Sequence, residues 1–268
     1  ISRAFDSISR PFLFEIMRRK GFGHKWLAWI AILLRTTSTK VLINGVPGRS
    51  FMLAQGLRQG GPVSPLLFII AMDALSCIMV KGAEEGVLKP FTGIRRNQSV
   101  SIYAGDVALF VRPNEVDLRF VTMALKAFGD ASGLRVNYGK SSAILIHGEE
   151  EDKIRVTNLL QCELRKFPCK YLGLQLAIHQ LKKTDWQPML DRAKKCAPGW
   201  QRGLLQRSGR LVLVKSVVAA KPIHHFMNTD ARAWVFEELD KWMRAFYWAG
   251  KHKVSGRQCM VAWNAVCK

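Results

Sequence analysis

Residues 55–68, QGLRQGGPVSPLLF, contain the residue types that suit a bound phosphate. The three glycines of this string let the backbone approach a ligand closely, and its two glutamines and one arginine supply hydrogen-bond donors. A helix expected from Ser64-Pro65 onward would add free N–H groups and the positive end of its dipole. A plain loop before a helix cap would carry the same residues, so the chemistry of the string alone leaves both interpretations open.

A second candidate is the single acid in YAGDVALF, residues 103–110. Apolar residues flank Gly105-Asp106, which we predict to be the two-residue turn of a β-hairpin. The hairpin would then be apolar except for one carboxylate, on Asp106, at its tip. The residues of the hairpin do not by themselves say what that carboxylate serves.

Two common catalytic patterns are missing from the sequence. The stretch GLRVNYGKS, residues 133–141, ends like a phosphate-binding P-loop, but that pattern needs a glycine where Leu134 stands. A hydrolase of the Ser/His/Asp type has no support either, because the sequence contains no GxSxG string.

The cysteines and histidines allow a metal site without predicting one. His224, His225, Cys259 and Cys267 could form such a site, but their spacings fit no common pattern, and buried cysteines are the alternative. The six cysteines include no CxxC pair, and a chain of 268 residues does not need disulfides for stability. We therefore expect reduced thiols in an intracellular protein.

The charge of the chain points to a polyanionic partner. There are 41 Lys and Arg against 20 Asp and Glu, a net charge of +21. The excess is +9 over residues 1–100, +3 over 101–183 and +9 over 184–268. Lys and Arg side chains that bind phosphates displace the counterions held there, and the release of those ions favours binding. Nucleic acid is therefore the expected partner. A basic protein kept soluble by its charge is the alternative.

Periodicity and capping residues predict the elements that must hold these candidates. Predicted helices cover residues 9–20, 24–35, 64–80, 114–132, 186–196, 208–227 and 231–249. Ser9 or Arg10 can cap the first of them, and Asn114 caps the fourth, with Gly133 just past its end. Predicted strands lie on both sides of Asn44-Gly45, in a hairpin over 100–111, and over 134–137, 142–148 and 170–177. The acidic cluster 149–152 is a solvated loop or a helix start. The sequence thus predicts an α+β chain, mixed to about residue 180 and then helical and basic.

The longest apolar run, residues 66–80, has 15 residues and contains Asp73. It is shorter than the roughly 18–20 residues of a membrane span, so we expect no membrane partner. The sequence shows no signal peptide and begins on Ile1 without an initiator Met, so we expect a fragment.

The string at 55–68 resembles the substrate-binding motif of reverse transcriptases from non-LTR (LINE-type) retrotransposons, QGxRQGxPxSPxLF, at every defined position. The other motifs of that family follow in its order, and plant elements are the most similar. SRAFDS (2–7) resembles the end of the first palm motif DxxKAFDS, YAGD (103–106) the YADD hairpin, GLRVNYGKS (133–141) the GLxxNxxKS element, YLG (171–173) the primer grip and LLQRSGRLVLVKSVV (204–218) the start of the thumb.

The resemblance implies RNA-directed DNA synthesis from dNTPs, with Mg²⁺ held by carboxylates, on an RNA template and a DNA primer in the nucleus. It also implies roles for individual residues, each of which could instead serve ordinary packing or a solvated charge. The implied nucleotide-binding residues are Arg3, Phe5, Arg58, Gln59 and Gly60, the implied primer grip is Tyr171, Leu172 and Gly173, and Lys140 is implied as a proton donor or phosphate contact.

By the same resemblance, this sequence lacks both critical metal-ligand positions. Gly105 stands where the YADD hairpin has its first Asp, which leaves Asp106 alone in a weak and incomplete metal site. The Asp of the first motif would fall immediately before Ile1. Asp6 is no substitute, because it lies at the far end of that motif, six places past the ligand. We therefore expect a truncated, degenerate copy that is catalytically inactive as written.

The expected architecture is a polymerase palm with partial fingers over residues 1–183, built on an antiparallel sheet with helices, followed by a basic helical thumb over 184–268. One alternative is a non-catalytic remnant that binds RNA or an RNA–DNA hybrid. Another is a reading frame whose product does not fold, because a missing palm strand leaves a sheet edge unpaired.

Overall fold

A computed structural model of the chain describes residue 1 and residues 4–89, 99–196, 204–251 and 253–267. Over these residues the protein is α+β, mostly helical with small two-stranded sheets, which confirms the predicted class. It divides into two compact units, Ile1–Lys166 and Phe167–Lys268. The functional division after residue 183 stays a prediction.

The first unit alternates helices with short hairpins. Its described helices are α1 (Ala4–Ser7), α2 (Arg10–Arg19), α3 (His24–Arg35), α4 (Ser64–Glu84), α5 (Glu115–Ser132) and α6 (Glu150–Leu160). Its described strands are β1 (Ser38–Ile43), β2 (Val46–Met52), β3 (Val100–Tyr103), β4 (Asp106–Leu109), β5 (Ser142–Ile144) and β6 (Glu163–Arg165). The β1–β2 and β3–β4 pairs are antiparallel, and β5 pairs parallel to β6.

Local capping determines where several of these helices begin and end. The Ser9 side chain accepts a hydrogen bond from the backbone N–H of Phe12 at the start of α2. Asn114 caps α5 in the same way, through the backbone N–H of Asp117 at 2.8 Å. Gly133 ends α5 in the left-handed conformation, with φ +78°. The predicted boundaries of both helices are confirmed, and the acidic cluster at 149–152 is the start of α6.

Helix α4 runs through the core of the first unit. Its buried side chains, among them Leu67, Phe68 and Met72, pack with Leu13 and Met17 of α2. By length and composition alone α4 could cross a membrane, so the expectation that the apolar segment is too short for a span is wrong. One such helix is weak evidence for a span, because the core helix of a compact domain passes the same test, and 39% of the apolar window of α4 is buried.

Of two elements predicted in the first unit, one is confirmed and the other is wrong. The β1–β2 hairpin turns at Asn44-Gly45 as predicted, with φ of 49° and 81°, but every residue of both strands is exposed. The predicted strand at 134–137 is wrong. Leu134 follows the α5 cap directly, and its backbone N–H donates to Ser132 Oγ instead of to a neighbouring strand.

The second unit begins with a hairpin and continues as helices. Its described strands are β7 (Cys169–Tyr171) and β8 (Leu174–Leu176), and its described helices are α7 (Lys183–Lys195), α8 (Arg207–Leu213), α9 (Ile223–Asn228), α10 (Ala233–Ala249) and α11 (Trp263–Val266). The predicted strand at 170–177 is therefore a hairpin. The predicted helix at 208–227 is broken, because a π-helical turn follows α8 and Pro222 starts a new helix.

Helices α7 and α10 form the main core of this unit. Trp186, Met189 and Leu190 of α7 are buried with Val235 and Leu239 of α10. A smaller cluster joins the π-helical turn after α8 to Trp242 and Phe246 of α10. The helical character predicted for the C-terminal part of the chain is confirmed for its described residues.

Candidate functional site

The β3–β4 hairpin places its acid beside the turn. Tyr103 pairs with Asp106 in the ladder, so the two-residue turn is Ala104-Gly105. The predicted turn at Gly105-Asp106 is wrong by one residue. Ala104 supplies the left-handed conformation that the turn needs, with φ 50°, and Asp106 is the exposed first residue of β4.

Gly105 does not need to be glycine for steric or conformational reasons. Its φ lies outside the left-handed region, and among the described residues, chain neighbours aside, a Cβ added there would meet only the Cβ of Ala4, at 3.7 Å. The carbonyl oxygen of Gly105 accepts a hydrogen bond from the amino group of Ile1 at 3.0 Å. The hairpin tip therefore lies directly against the start of the first motif and has room for a side chain.

The loop at 55–68 is joined to the first motif by backbone hydrogen bonds. The N–H of Leu57 donates to the carbonyl of Phe5 at 2.7 Å, and the N–H of Gly56 donates to that of Ile8 at 3.0 Å. A Cβ on Gly56 would lie 2.6 Å from the carbonyl oxygen of Asp6. Gly56 thus permits a backbone-to-backbone approach, which is a structural reason for one glycine of the string.

Arg10 strengthens the same junction, a role that sequence reasoning missed. Its Nε donates to the carbonyl oxygen of Gly56 at 3.1 Å. Burial lowers the pKa of Arg10 from its ordinary value. Because that ordinary value lies far above neutral pH, the guanidinium stays charged. The sequence showed Arg10 only as a possible helix cap, because a contact across 46 residues leaves no periodic signal.

Gln59 pairs with the first motif as well. Its amide nitrogen donates to the two carboxylate oxygens of Asp6 at 3.0 and 3.3 Å. Arg58 and Gly60 beside it are exposed, and Gly60 has φ +78° with open space around it. The structure therefore brings Gln59 and Asp6 together at the surface and leaves Arg58 and Gly60 accessible.

Phe5 lies at the edge of the core. Its ring stacks on Phe68 of α4, with centroids 4.9 Å apart and planes 24° apart, and the residue is half-buried. Core packing therefore explains much of this position. Arg3, the neighbouring residue with an implied nucleotide role, lies outside the described residues.

The element at 133–141 is joined to the other side of the first motif. A Cβ on Gly133 would lie 2.2 Å from the carbonyl oxygen of Ser7, and the N–H of Ser9 donates to the carbonyl of Ser132 at 2.7 Å. Lys140 ends a short 3-10 turn, is exposed, and gives its backbone N–H to Asn137. The first motif is thus held between the loop at 55–68 and the end of α5.

The carboxylates at this site do not fit a two-metal centre. Asp106 is exposed at the hairpin, Gly105 has no side chain, and Asp6 is engaged by Gln59. Within the described parts of the chain, no three His, Cys, Asp or Glu side chains come together to hold a metal ion. His224, His225, Cys259 and Cys267, which are all described, therefore do not form a metal site. The alternative of buried cysteines is also wrong, because all six thiols are free and are exposed or half-buried.

In the second unit, the predicted primer-grip residues form a tight turn. Tyr171 ends β7, and Leu172 and Gly173 form the turn, with φ of 49° and 85°. His224 Nε2 lies 3.1 Å from the carbonyl oxygen of Leu172. The helix α9 therefore contacts the tip of this hairpin, a contact that the sequence does not predict.

Comparison with known proteins gives one family. A model of the family described as reverse transcriptase (RNA-dependent DNA polymerase) matches residues 1–176. The chain is 25% identical over 262 residues to the transposon TX1 uncharacterized 149 kDa protein of Xenopus laevis, covering 94% of this chain and 19% of that protein. It is 24% identical over 261 residues to the retrovirus-related Pol polyprotein from the retrotransposable element R2DM of Drosophila melanogaster, covering 92% and 23%.

A protein of Arabidopsis thaliana named for a ribonuclease H is 28% identical over 88 residues, which is 33% of this chain and 14% of that protein. The chain thus spans about a fifth of the length of the first two relatives.

Proposed function

The chain belongs to the reverse transcriptase (RNA-dependent DNA polymerase) family, in the type found in non-LTR retrotransposons, and on that premise we propose that it is an RNA-directed DNA polymerase domain that is catalytically inactive as written. The observation that supports the proposed inactivity is the glycine at position 105. It occupies the place of a metal-binding Asp in the family hairpin, and its surroundings would accept a side chain. The loss is therefore chemical and not a consequence of the fold.

The size of the expected loss follows from what the missing carboxylates do. When bound, Mg²⁺ supplies charge neutralisation at the reacting phosphate and activates the attacking hydroxyl. Removing one essential group from an active site costs on the order of 10⁴-fold in rate, or about 5.5 kcal/mol of barrier. Asp106 alone cannot replace the carboxylate that position 105 lacks, so we expect no measurable synthesis.

The residues that remain are suited to binding. In the proposed arrangement, Arg58 and Gly60 contact the incoming nucleotide at the exposed part of the loop, and Lys140 contacts its phosphates. Phe5, whose ring stacks on Phe68, would belong to the same nucleotide site. Gln59 would have to exchange its bond to Asp6 for a bond to the nucleotide. Arg3 is proposed to contact the triphosphate on the resemblance alone.

We further propose that residues 1–183 are a palm with partial fingers and residues 184–268 a thumb. The hairpin of Tyr171, Leu172 and Gly173 would then be the primer grip. A nuclear location and a degenerate plant element as the source are proposals of the same standing, and the match to an Arabidopsis protein supports the second.

Restoring the carboxylates tests the proposal. The repaired protein carries Gly105→Asp and an upstream segment that places Asp directly before Ile1. That Asp would be joined to the nitrogen that lies 3.0 Å from the Gly105 carbonyl oxygen, so the acids would meet at the hairpin tip. We expect Mg²⁺-dependent primer extension on an RNA template from the repaired protein and none from the original chain.

The matched control carries the same upstream segment with Gly105→Ala, which adds a Cβ but no carboxylate. Extension by the original chain, or by this control, would contradict the proposed loss of metal ligands. If the repaired protein is folded and binds primer–template but does not extend the primer, residues other than the restored carboxylates must also have changed in a way that prevents synthesis.

The net charge of +21 favours a second candidate, a non-catalytic RNA or hybrid-binding remnant. Such a remnant would bind RNA through phosphates, and its affinity would fall steeply with salt. Filter binding of a 20-nucleotide RNA between low and high salt measures that slope. Binding without salt dependence would exclude an electrostatic grip.

A further inference from the structure

Two consecutive histidines of α9 contact the two turn residues of the β7–β8 hairpin. His224 Nε2 lies 3.1 Å from the carbonyl oxygen of Leu172. His225 and Gly173 line one small cavity, and the backbone of Gly173 influences the pKa of the His225 imidazole. Both turn residues therefore lie beside the same helix, and His224 makes the hydrogen bond.

The hairpin needs such support. Its strands have three residues each and pair only with one another among the described residues. An isolated two-stranded hairpin is marginally stable in water. Leu172 has φ 49°, a conformation that costs a residue with a Cβ about 1 kcal/mol or more. An outside contact at the tip would therefore determine how well the turn is ordered.

Helix α9 is itself anchored to the core of the second unit. The ring of Phe226 lies 6.3 Å from Trp186 of α7 and 4.5 Å from Phe236 of α10, measured between centroids. Phe226 packs against the cluster that contains Leu190 and Leu239. The two histidines thus extend from a fixed base to the tip of the hairpin.

His225 is neutral at neutral pH, which suits this contact. Burial lowers its pKa, and the positive charge of Arg192 lowers it further. The charged groups that surround the same small cavity are Arg192 and Asp185 on α7 and Lys170 on β7. A neutral imidazole avoids repulsion from the two cations while it holds the turn.

We propose that His224 and His225 are positioning residues that hold the Leu172–Gly173 turn in the orientation that receives the 3′ end of a primer. The inference rests on the proposed function only for the identity of the bound end. The contact between α9 and the turn stands without it, so the two parts can fail separately.

The first test measures order in the turn of the full chain. Amide hydrogen exchange of the peptide 169–176 is compared between wild type, His224→Ala and His224→Gln, with His179→Ala as control because His179 is an exposed histidine of the same unit. We expect His224→Ala to speed exchange about fivefold, the effect of one net hydrogen bond. His224→Gln keeps a donor that reaches the same carbonyl and restores protection. Unchanged exchange in His224→Ala would overturn the inference.

The second test measures end recognition. Fluorescence anisotropy compares the affinity for an RNA–DNA duplex with a recessed primer 3′ end with the affinity for a blunt duplex of the same length. We expect His224→Ala to lower the preference for the recessed end about fivefold, His224→Gln to restore it, and His179→Ala to leave it unchanged.

The outcomes separate the two ideas. Faster exchange with an unaltered preference for the recessed end would overturn the positioning role. Alternatively, the wild-type chain shows no preference for the recessed end while His224→Ala still exchanges faster. That result would support the contact at the turn and contradict the primer grip of the proposed function.

Discussion

Glycine occupies two different kinds of position around the first motif of this protein. At the junction of that motif with the loop at 55–68 and the end of α5, Gly56 and Gly133 lie against backbone, and an added Cβ would come within 2.6 and 2.2 Å of carbonyl oxygens. At the β3–β4 hairpin, Gly105 has an ordinary φ, and in the described part of the chain the nearest atom to an added Cβ, chain neighbours aside, lies 3.7 Å away. The first two glycines are required by the fold, and the third is not.

If the proposed function is right, the difference would explain how a chain of this family keeps its fold when a metal ligand is lost. A change at Gly56 or Gly133 disturbs the backbone of three elements at once, so stability opposes it. A change at position 105 removes or restores a carboxylate and leaves the surrounding structure as it is. Selection for folding alone would thus protect the junction and leave the hairpin tip free to vary.

Gly133→Ala is expected to have the largest effect on stability. The new methyl group would need space held by the carbonyl of Ser7, and the backbone would remain in the left-handed region at φ +78°. Strain and overpacking together are expected to lower the free energy of unfolding by about 4 kcal/mol. Urea unfolding followed by tryptophan fluorescence measures the change.

Gly86→Ala is the matched control for this substitution. Gly86 has a similar φ of +74° but nothing within 4 Å of its Cβ position. It reports the cost of the left-handed conformation alone, about 1 kcal/mol. If Gly133→Ala and Gly86→Ala lowered the free energy of unfolding equally, the contact with Ser7 would not contribute to the effect at Gly133.

Gly56→Ala is expected to follow, at about 3 kcal/mol, because the methyl group would press on the backbone of Asp6 and Phe5. Gly60→Ala, in the same loop and with the same φ but open space, is its control at about 1 kcal/mol. The same denaturation experiment applies. If the two variants unfold at the same urea concentration, the close approach at Gly56 is not what holds the loop.

Gln59→Ala is expected to have a smaller effect, about 0.5 kcal/mol, because its hydrogen bonds to Asp6 lie at the surface. Gln59→Glu would place a like charge beside Asp6 and is expected to cost more than the alanine. A stability order in which the glutamate variant exceeds the alanine variant would contradict the pairing.

The sequence predicted the elements with local signals. The hairpin turn at Asn44-Gly45, the Ser9 and Asn114 caps and the end of α5 at Gly133 each depend on a few adjacent residues with known preferences. The break at Pro222 was missed because the apolar pattern of residues 208–227 continues through it, and one proline outweighed that pattern.

Contacts distant in sequence could not be predicted in this way. The resemblance gave Gln59 only a nucleotide-binding role, and nothing in the sequence indicated its bond to Asp6, 53 residues away. The bonds of Arg10 to Gly56 and of His224 to Leu172 were missed for the same reason. The prediction placed the β3–β4 turn one residue too late. Ala104 adopts the positive φ of this turn, although residue preferences favour Gly105 for that conformation.

Gly105→Ala is expected to have the smallest effect on stability and the opposite sign. Its backbone conformation is open to any residue, so the substitution would mainly reduce the freedom of the unfolded chain. That entropy effect is expected to raise the free energy of unfolding by about 0.5 kcal/mol. The same urea titration, repeated with Gly105→Asp, shows whether the charge beside Asp106 removes the gain.

These two variants test the comparison between junction and hairpin most directly. If Gly105→Ala destabilised the protein by as much as Gly56→Ala, the glycine at the tip would be structural and its presence would say nothing about lost chemistry. If both Gly105 variants fold as well as the original chain, a carboxylate at this position costs the fold nothing. The glycine there would then reflect only the absence of a demand for catalysis.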